Sequence, residues 1–222
     1  GSQTGGSIIR PAAFCGSIGY KPSFNTFNRT GIHPLVDSLD HLGHFARSVD
    51  DIALLGQVLS GRKDFGVGDL SKAPRIGFCR SPQWEKAQPE IKKAVEDAAA
   101  ALKKAGAEVI DAELPTSCSG LNEACVTFIR YEGARTFAYE YRDRRDGMSA
   151  PLKAMVEAGL AMSYDTYVQA RLLAEQCRAL VAEMFEDKKL DVLITPSAEC
   201  EAPLLADAIG DSVFNRLWTL LH

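Results

Sequence analysis

The sequence predicts an α/β protein in which a mixed sheet is flanked by helices. Residues 75–114 read as strand, helix, strand, at a length that suits a crossover between two parallel strands. Asp191–Pro196 adds a third short apolar segment, bounded by proline. The remaining chain is dominated by stretches with apolar residues at helical spacing, several opened by capping residues. A chain of 222 residues buries around 70% of its unfolded surface, so one domain over residues 1–222 is expected.

Residues 1–24 read as a loop, a short apolar segment and an extended Tyr20-Lys21-Pro22-Ser23, where Pro22 biases Lys21 away from helix. Asn25–Leu39, dense in Asn, Gly, Pro and Ser, reads as a surface connection. At Ser48 a helix starts with a capping box to Asp51. Val49, Ile52, Ala53, Leu55 and Leu59 give its stripe, and Gly61 ends it. Residues 62–74 are polar and read as a loop.

Arg75–Cys79 is a short buried strand, Pro89 opens a helix with Ile91, Val95, Ala98 and Leu102 on one face, and Gly106 closes it. Ala107–Leu114 is the second strand. Residues 118–145 are mostly helical, and a shorter helix covers 150–159. Ser163 caps a long helix with Asp165 against its N-terminal dipole and Val168, Leu172, Leu173, Cys177, Leu180, Val181 and Met184 as its stripe. After the third strand comes the loop Ser197–Pro203, and residues 215–222 read as a final helix.

Hydrophobic residues make up 46% of the chain and charged residues 24%, ordinary values for a globular protein. No apolar run approaches the length that crosses a bilayer. The net charge is −4 and basic residues are interspersed with acids, which disfavours direct nucleic-acid binding. Six cysteines, with no Cys-x-x-Cys pair, read as reduced thiols of a cytoplasmic protein. His41 and His44 fit no zinc spacing, and no metal or other cofactor is expected.

The chemistry is concentrated at the start. Thr4-Gly5-Gly6-Ser7 is a glycine-permitted loop whose successive N–H groups can converge on one point, with a hydroxyl at its end. Those are the parts of an oxyanion hole with its nucleophile attached. On composition alone the same run also fits a flexible lead-in. The longer pattern Gly5-Gly6-Ser7, Arg10-Pro11-Ala12, Phe14-Cys15-Gly16 and Gly19-Tyr20-Lys21-Pro22-Ser23 resembles the signature segment of the amidase signature family. Ser38-Leu39-Asp40 and Ala46 to Asp51 resemble that family's next block, in the right order and spacing.

The resemblance implies an amidase αβα sandwich and a serine amidohydrolase that works through a Ser–Ser–Lys triad. Ser7 is then the acyl-accepting nucleophile, with backbone N–H groups of Thr4, Gly5, Gly6 and Ser7 around the oxyanion. The second serine, in a cis peptide, and the lysine that serves as base lie upstream of this loop in the family. The chain therefore reads as an internal fragment, incomplete at both ends and inactive alone. Lys21 matches a family lysine that is not the base. Thr195-Pro196 resembles a loop bordering the cleft, which makes both residues candidates for substrate binding.

Asp40 and Arg47 are expected to serve the scaffold by ion pairing. The cluster of Phe128, Tyr131, Phe137, Tyr139, Tyr141, Tyr164 and Tyr167 reads as helical core, with pocket lining as the competing reading. The expected partner is a small amide, with no nucleic acid, no membrane and a homodimer allowed. Two other readings stand beside the amidohydrolase. One is the glutaminase component of a tRNA-dependent amidotransferase. Gln3, where that component carries Asp, and Ile9-Arg10, where many members carry Arg two places after the nucleophile, argue against it. The other is a non-catalytic amidase-like module.

Overall fold

The computed structural model describes residues 1–204 and 210–222. Its strands fall into three small sheets carrying both parallel and antiparallel pairs, so the expected α/β class holds, with the strands distributed over separate sheets. β5 (Arg75–Phe78) is central to a three-stranded sheet, parallel to β6 (Glu108–Asp111) on one side and β7 (Val192–Ile194) on the other. The crossover from β5 to β6 runs through α3 (Pro89–Lys104), as the strand, helix, strand pattern predicts. Pro89 is tolerated there because the first helical N–H needs no partner within the helix.

The N-terminal residues are not a lead-in. β1 (Ser2–Gln3) pairs antiparallel with β3 (His41–Leu42), and the Gly1 amine donates to the Gly43 carbonyl at 2.8 Å. β2 (Ile18–Tyr20) pairs in the same sense with β4 (His44–Ala46). Between β1 and β2 the short apolar segment forms α1 (Ile9–Phe14). These two ribbons tie the first residues of the chain to a stretch well downstream, from His41 to Ala46.

α2 (Val49–Ser60) has the expected ends: the Ser48 hydroxyl accepts from the Asp51 N–H, and Gly61 adopts φ 70° to close the last turn. Its stripe differs from expectation. Ile52 and Gly56 are buried, whereas Val49, Leu55 and Leu59 face outward. The reason is contact: the Phe65 ring lies where a Cβ on Gly56 would stand, so the buried line of the helix runs through the smallest residue. Residues 25–39 carry no regular element, yet Phe27, Val36 and Leu39 are buried. That stretch is therefore a core-forming strap and not a surface connection.

The main core joins this strap to the helices that follow. Val36 and Leu39 pack with Leu121, Cys125 and Phe128 of α4 (Leu121–Thr136), with Ala174 and Cys177 of α7 (Tyr164–Lys188), and with Leu217 and Leu220 of α8 (Val213–Leu220). α5 (Ala138–Asp143) and α6 (Ala150–Leu160) lie against α4. Each fully buried leucine contributes about 1.5–3 kcal/mol, so the strap and α8 are anchored by more than their hydrogen bonds. Ser163 caps α7 through the Thr166 N–H. The aromatic cluster belongs largely to this interior: Tyr131 and Tyr167 stack at 4.3 Å, and Phe128 meets Tyr167 edge-on, while Tyr139 and Tyr164 are exposed.

Candidate active site

The loop between β1 and α1 is shaped by Gln3. Its side chain is 1% exposed, and its Oε1 accepts from the N–H groups of Ile8 at 2.8 Å and Ile9 at 3.0 Å. Its Nε2 donates to Thr219 Oγ1 at 3.0 Å, and the Thr219 hydroxyl lies within 3.3 Å of the Gly5 carbonyl. One amide side chain thus closes the loop end to end and pins it on α8. The sequence offered Gln3 only as a departure from a familiar pattern, and its burial gave no local signal.

Gly6 is required by the same helix. A Cβ on Gly6 would stand 2.6 Å from Asn215 Oδ1 and 2.7 Å from Ser212 Cβ, so no side chain fits between loop and helix. Asn215 in turn donates from Nδ2 to the Ser197 carbonyl at 3.1 Å. Among the described residues, the N–H groups of Thr4, Gly5, Gly6 and Ser7 donate to no protein acceptor, while those of Ile8 and Ile9 are consumed by Gln3.

From the other side the loop is held by Asp40. Its Oδ1 accepts from Thr4 Oγ1 at 2.5 Å, and its Oδ2 accepts from the N–H groups of Leu35 at 2.7 Å and Val36 at 3.1 Å. The expected scaffold role is present but works through neutral donors instead of an ion pair. Arg47 is exposed and makes no ion pair among the described residues, so its expected pairing is corrected. Ser38, two residues before Asp40, donates from its N–H and hydroxyl to the Glu132 carboxylate, which also accepts from Tyr167 OH at 2.7 Å. Glu132 carried no signal in the sequence, because its partners lie 94 and 35 residues away.

Ser7 is exposed on the wall of a cavity of about 630 Å³ that Thr4, Asn28, Arg29, His33 and Asp40 also line. Among the described residues no side chain hydrogen-bonds the Ser7 hydroxyl. Lys21 does not line this cavity: its Nζ donates to the Pro22 carbonyl at 2.9 Å, and burial lowers its pKa to about 8. Thr195 lines a separate cavity of about 450 Å³ between α1 and α3, and Pro196 is buried. The structure therefore does not bring Thr195 or Pro196 to the wall that Ser7 lines. Their loop reaches the oxyanion segment only indirectly, through Ser197 and Asn215.

His41 and His44 are buried and bonded to backbone, His41 Nδ1 donating to the Leu39 carbonyl at 2.5 Å and His44 Nε2 to that of Ile52 at 2.9 Å. Burial, with the Lys21 charge nearby, pushes the His41 pKa down to about 4; burial, with Arg178 and Lys21, does the same for His222. Arg10 donates to the Gly210 carbonyl at 2.8 Å. All six cysteines are free. Among the described residues, no cluster of three or more His, Cys, Asp or Glu is arranged to hold a metal ion, and no helix is long and apolar enough to cross a membrane.

The chain is similar to known proteins over nearly all of its length. The A component of the glutamyl-tRNA(Gln) amidotransferase of Koribacter versatilis is 31% identical over 246 residues, covering 95% of this chain and 51% of that protein. Its counterpart in Granulibacter bethesdensis is 33% identical, covering 96% and 50%. The chain thus spans about half the length of the curated relatives it matches. A crystal structure of an amidase superposes with TM-score 0.85 at 27% identity, over all of this chain and 52% of that one. A model of the Amidase family matches residues 1–221, and the chain belongs to that family.

Proposed function

We propose that this chain carries the nucleophile and oxyanion hole of a serine amidohydrolase that cleaves the C–N bond of a small amide. The observation that supports this most is the division of labour in the first loop. Gln3 occupies the N–H groups of Ile8 and Ile9 but leaves those of Thr4 to Ser7 without acceptors among the described residues, beside the Ser7 hydroxyl and a cavity. Backbone donors left free beside a serine hydroxyl suit a tetrahedral oxyanion, and each is typically worth about 3–4 kcal/mol at that step.

In this reading Ser7 Oγ attacks the amide carbonyl and its proton passes to a base. The oxyanion collapses, ammonia or an amine leaves with a proton, and an ester to Ser7 remains. Water then hydrolyses that ester and regenerates the hydroxyl. The family resemblance puts the relaying serine and the lysine base upstream of Ser7, and no described side chain takes their place beside its hydroxyl. The chain by itself is therefore inactive on this reading. A fluorophosphonate probe tests both halves. It labels Ser7 in the full-length protein and not in the isolated chain; labelling of the isolated chain at an equal rate contradicts the inactivity.

A second reading is favoured by the curated relatives, which are amidotransferase components. On that reading the full-length protein releases ammonia from glutamine and passes it to a partner protein. Glutamine turnover that rises on addition of such a partner supports it over the free-standing amidase. Hydrolysis of simple amides without any partner supports the first. Absence of all hydrolysis leaves the non-catalytic module.

A further inference from the structure

A third cavity, of about 280 Å³, lies between the Gln83–Lys86 turn, the start of α4 and the first turn of α8. Asn122 is only 5% exposed there, and neither its Oδ1 nor its Nδ2 has a partner among the described residues. The neighbouring Gln83 Oε1 is buried and equally unpartnered. Buried amides left this way cost stability, so they mark a site that something else completes. Lys86, Arg130 and Arg216 line the same space against the single carboxylate of Glu123. Arg216 is paired with Asp211 at 2.6 Å, while Lys86 and Arg130 make no ion pair among the described residues.

From this arrangement we infer that the cavity binds a small carboxylate that also carries an NH₂ donor group. The carboxylate oxygens accept from Arg130, Lys86 and Asn122 Nδ2. The donor satisfies Asn122 Oδ1 and Gln83 Oε1, which an acid without such a group leaves orphaned. The cavity stands one side chain from the oxyanion loop, because a Cβ on Gly5 would lie 3.6 Å from Arg216 Cγ. The ligand is an acid separate from the substrate, because an amide that satisfies Asn122 and Gln83 cannot also stand at Ser7, so the inference does not rest on the hydrolase reading.

The test uses succinamate, which has both groups, titrated calorimetrically into the full-length protein carrying Ser7→Ala so that nothing turns over. Saturable binding is expected, weakened at least about tenfold by Asn122→Leu and by Arg130→Met. Succinate, which lacks the donor, binds more weakly than succinamate. Asn122→Leu also raises or preserves the thermal midpoint of the ligand-free protein, because an apolar side chain replaces an unpaired amide. No saturable binding of succinamate up to about 10 mM overturns the site. So does unchanged affinity in both variants, or a lowered midpoint in Asn122→Leu with affinity intact, which makes Asn122 structural.

With Ser7 intact, hydrolysis tests that separation: Asn122→Leu leaves KM for succinamate and for butyramide unchanged while binding at the cavity is lost. A KM raised for succinamate and not for butyramide places the substrate's own acidic end there and overturns the separate acid. Binding without hydrolysis of any amide refutes the hydrolase reading and leaves this site standing.

Discussion

Asp40 holds Thr4, 36 residues away, through a 2.5 Å hydrogen bond from the threonine hydroxyl to Oδ1, while Oδ2 takes the N–H groups of Leu35 and Val36. One carboxylate therefore fixes the first residue of the oxyanion loop to the strap that enters the core. Asp40→Asn presents an NH₂ to donors on one side and cannot satisfy both. In the full-length protein it is expected to lower kcat about tenfold or more, equivalent to ~1.4 kcal/mol in the barrier, with KM little changed. Thr4→Val removes one bond only and has a smaller effect. Steady-state kinetics on the two variants check the order.

Gln3 gives a stability prediction. Gln3→Leu leaves the Ile8 and Ile9 N–H groups and the Thr219 hydroxyl short of a buried partner, at a cost of about 2–3 kcal/mol. Gln3→Glu keeps the acceptor for the two N–H groups but loses the donor to Thr219, and adds a buried charge. Both lower the denaturation midpoint in chemical unfolding; equal stability of Gln3→Leu and wild type contradicts the assignment.

Glu132 acts through Ser38 on the same strap. Glu132→Ala releases the Ser38 N–H, the Ser38 hydroxyl and Tyr167 OH together. The expected result is a drop in kcat with KM retained, because Asp40 two residues on shifts relative to Thr4. Glu132→Gln, which preserves one acceptor, recovers part of the rate. A loss of stability with no change in kcat in the surviving folded fraction makes Glu132 a packing residue only.

The buried imidazoles set an acid limit. His41 and His222 lie near pKa 4 in the folded chain against 6.5 unfolded, burial being the main cause. Between about pH 6.5 and pH 4 the unfolded chain binds more protons, so stability falls as pH falls through that window and levels below it. For His41, which is 1% exposed, the loss is about 3 kcal/mol. Besides Lys21, the charges facing these rings are Arg29 at His41 and Arg178 at His222. Lys21→Met removes the cation that most lowers the His41 pKa, so its pKa rises; NMR titration of the ring reads the shift.

Local grammar was legible in the sequence. Ser48, Ser163, Pro89 and Gly61 announce helix ends, and the three strands of the parallel sheet follow from apolar runs and turn residues. The loop that bears Ser7 was legible too, because a long motif carries it. The parts that escaped depend on pairs far apart in sequence: Asp40 with Thr4, Glu132 with Ser38, Gln3 with Thr219. Residues 25–39 looked like surface because their polar composition hides Val36 and Leu39, which the Asp40 turn carries into the core. Thr195 and Pro196 follow β7 as expected, but α1 and α3 enclose their cavity away from the Ser7 wall.

On the proposed mechanism Ser7 becomes acylated during turnover. Rapid quenching of the full-length protein during amide turnover, followed by peptide mass spectrometry, reads it directly. An acyl adduct is expected on the peptide containing Ser7, absent in Ser7→Ala, which also loses hydrolysis. An adduct on another residue, or turnover that persists in Ser7→Ala, contradicts it.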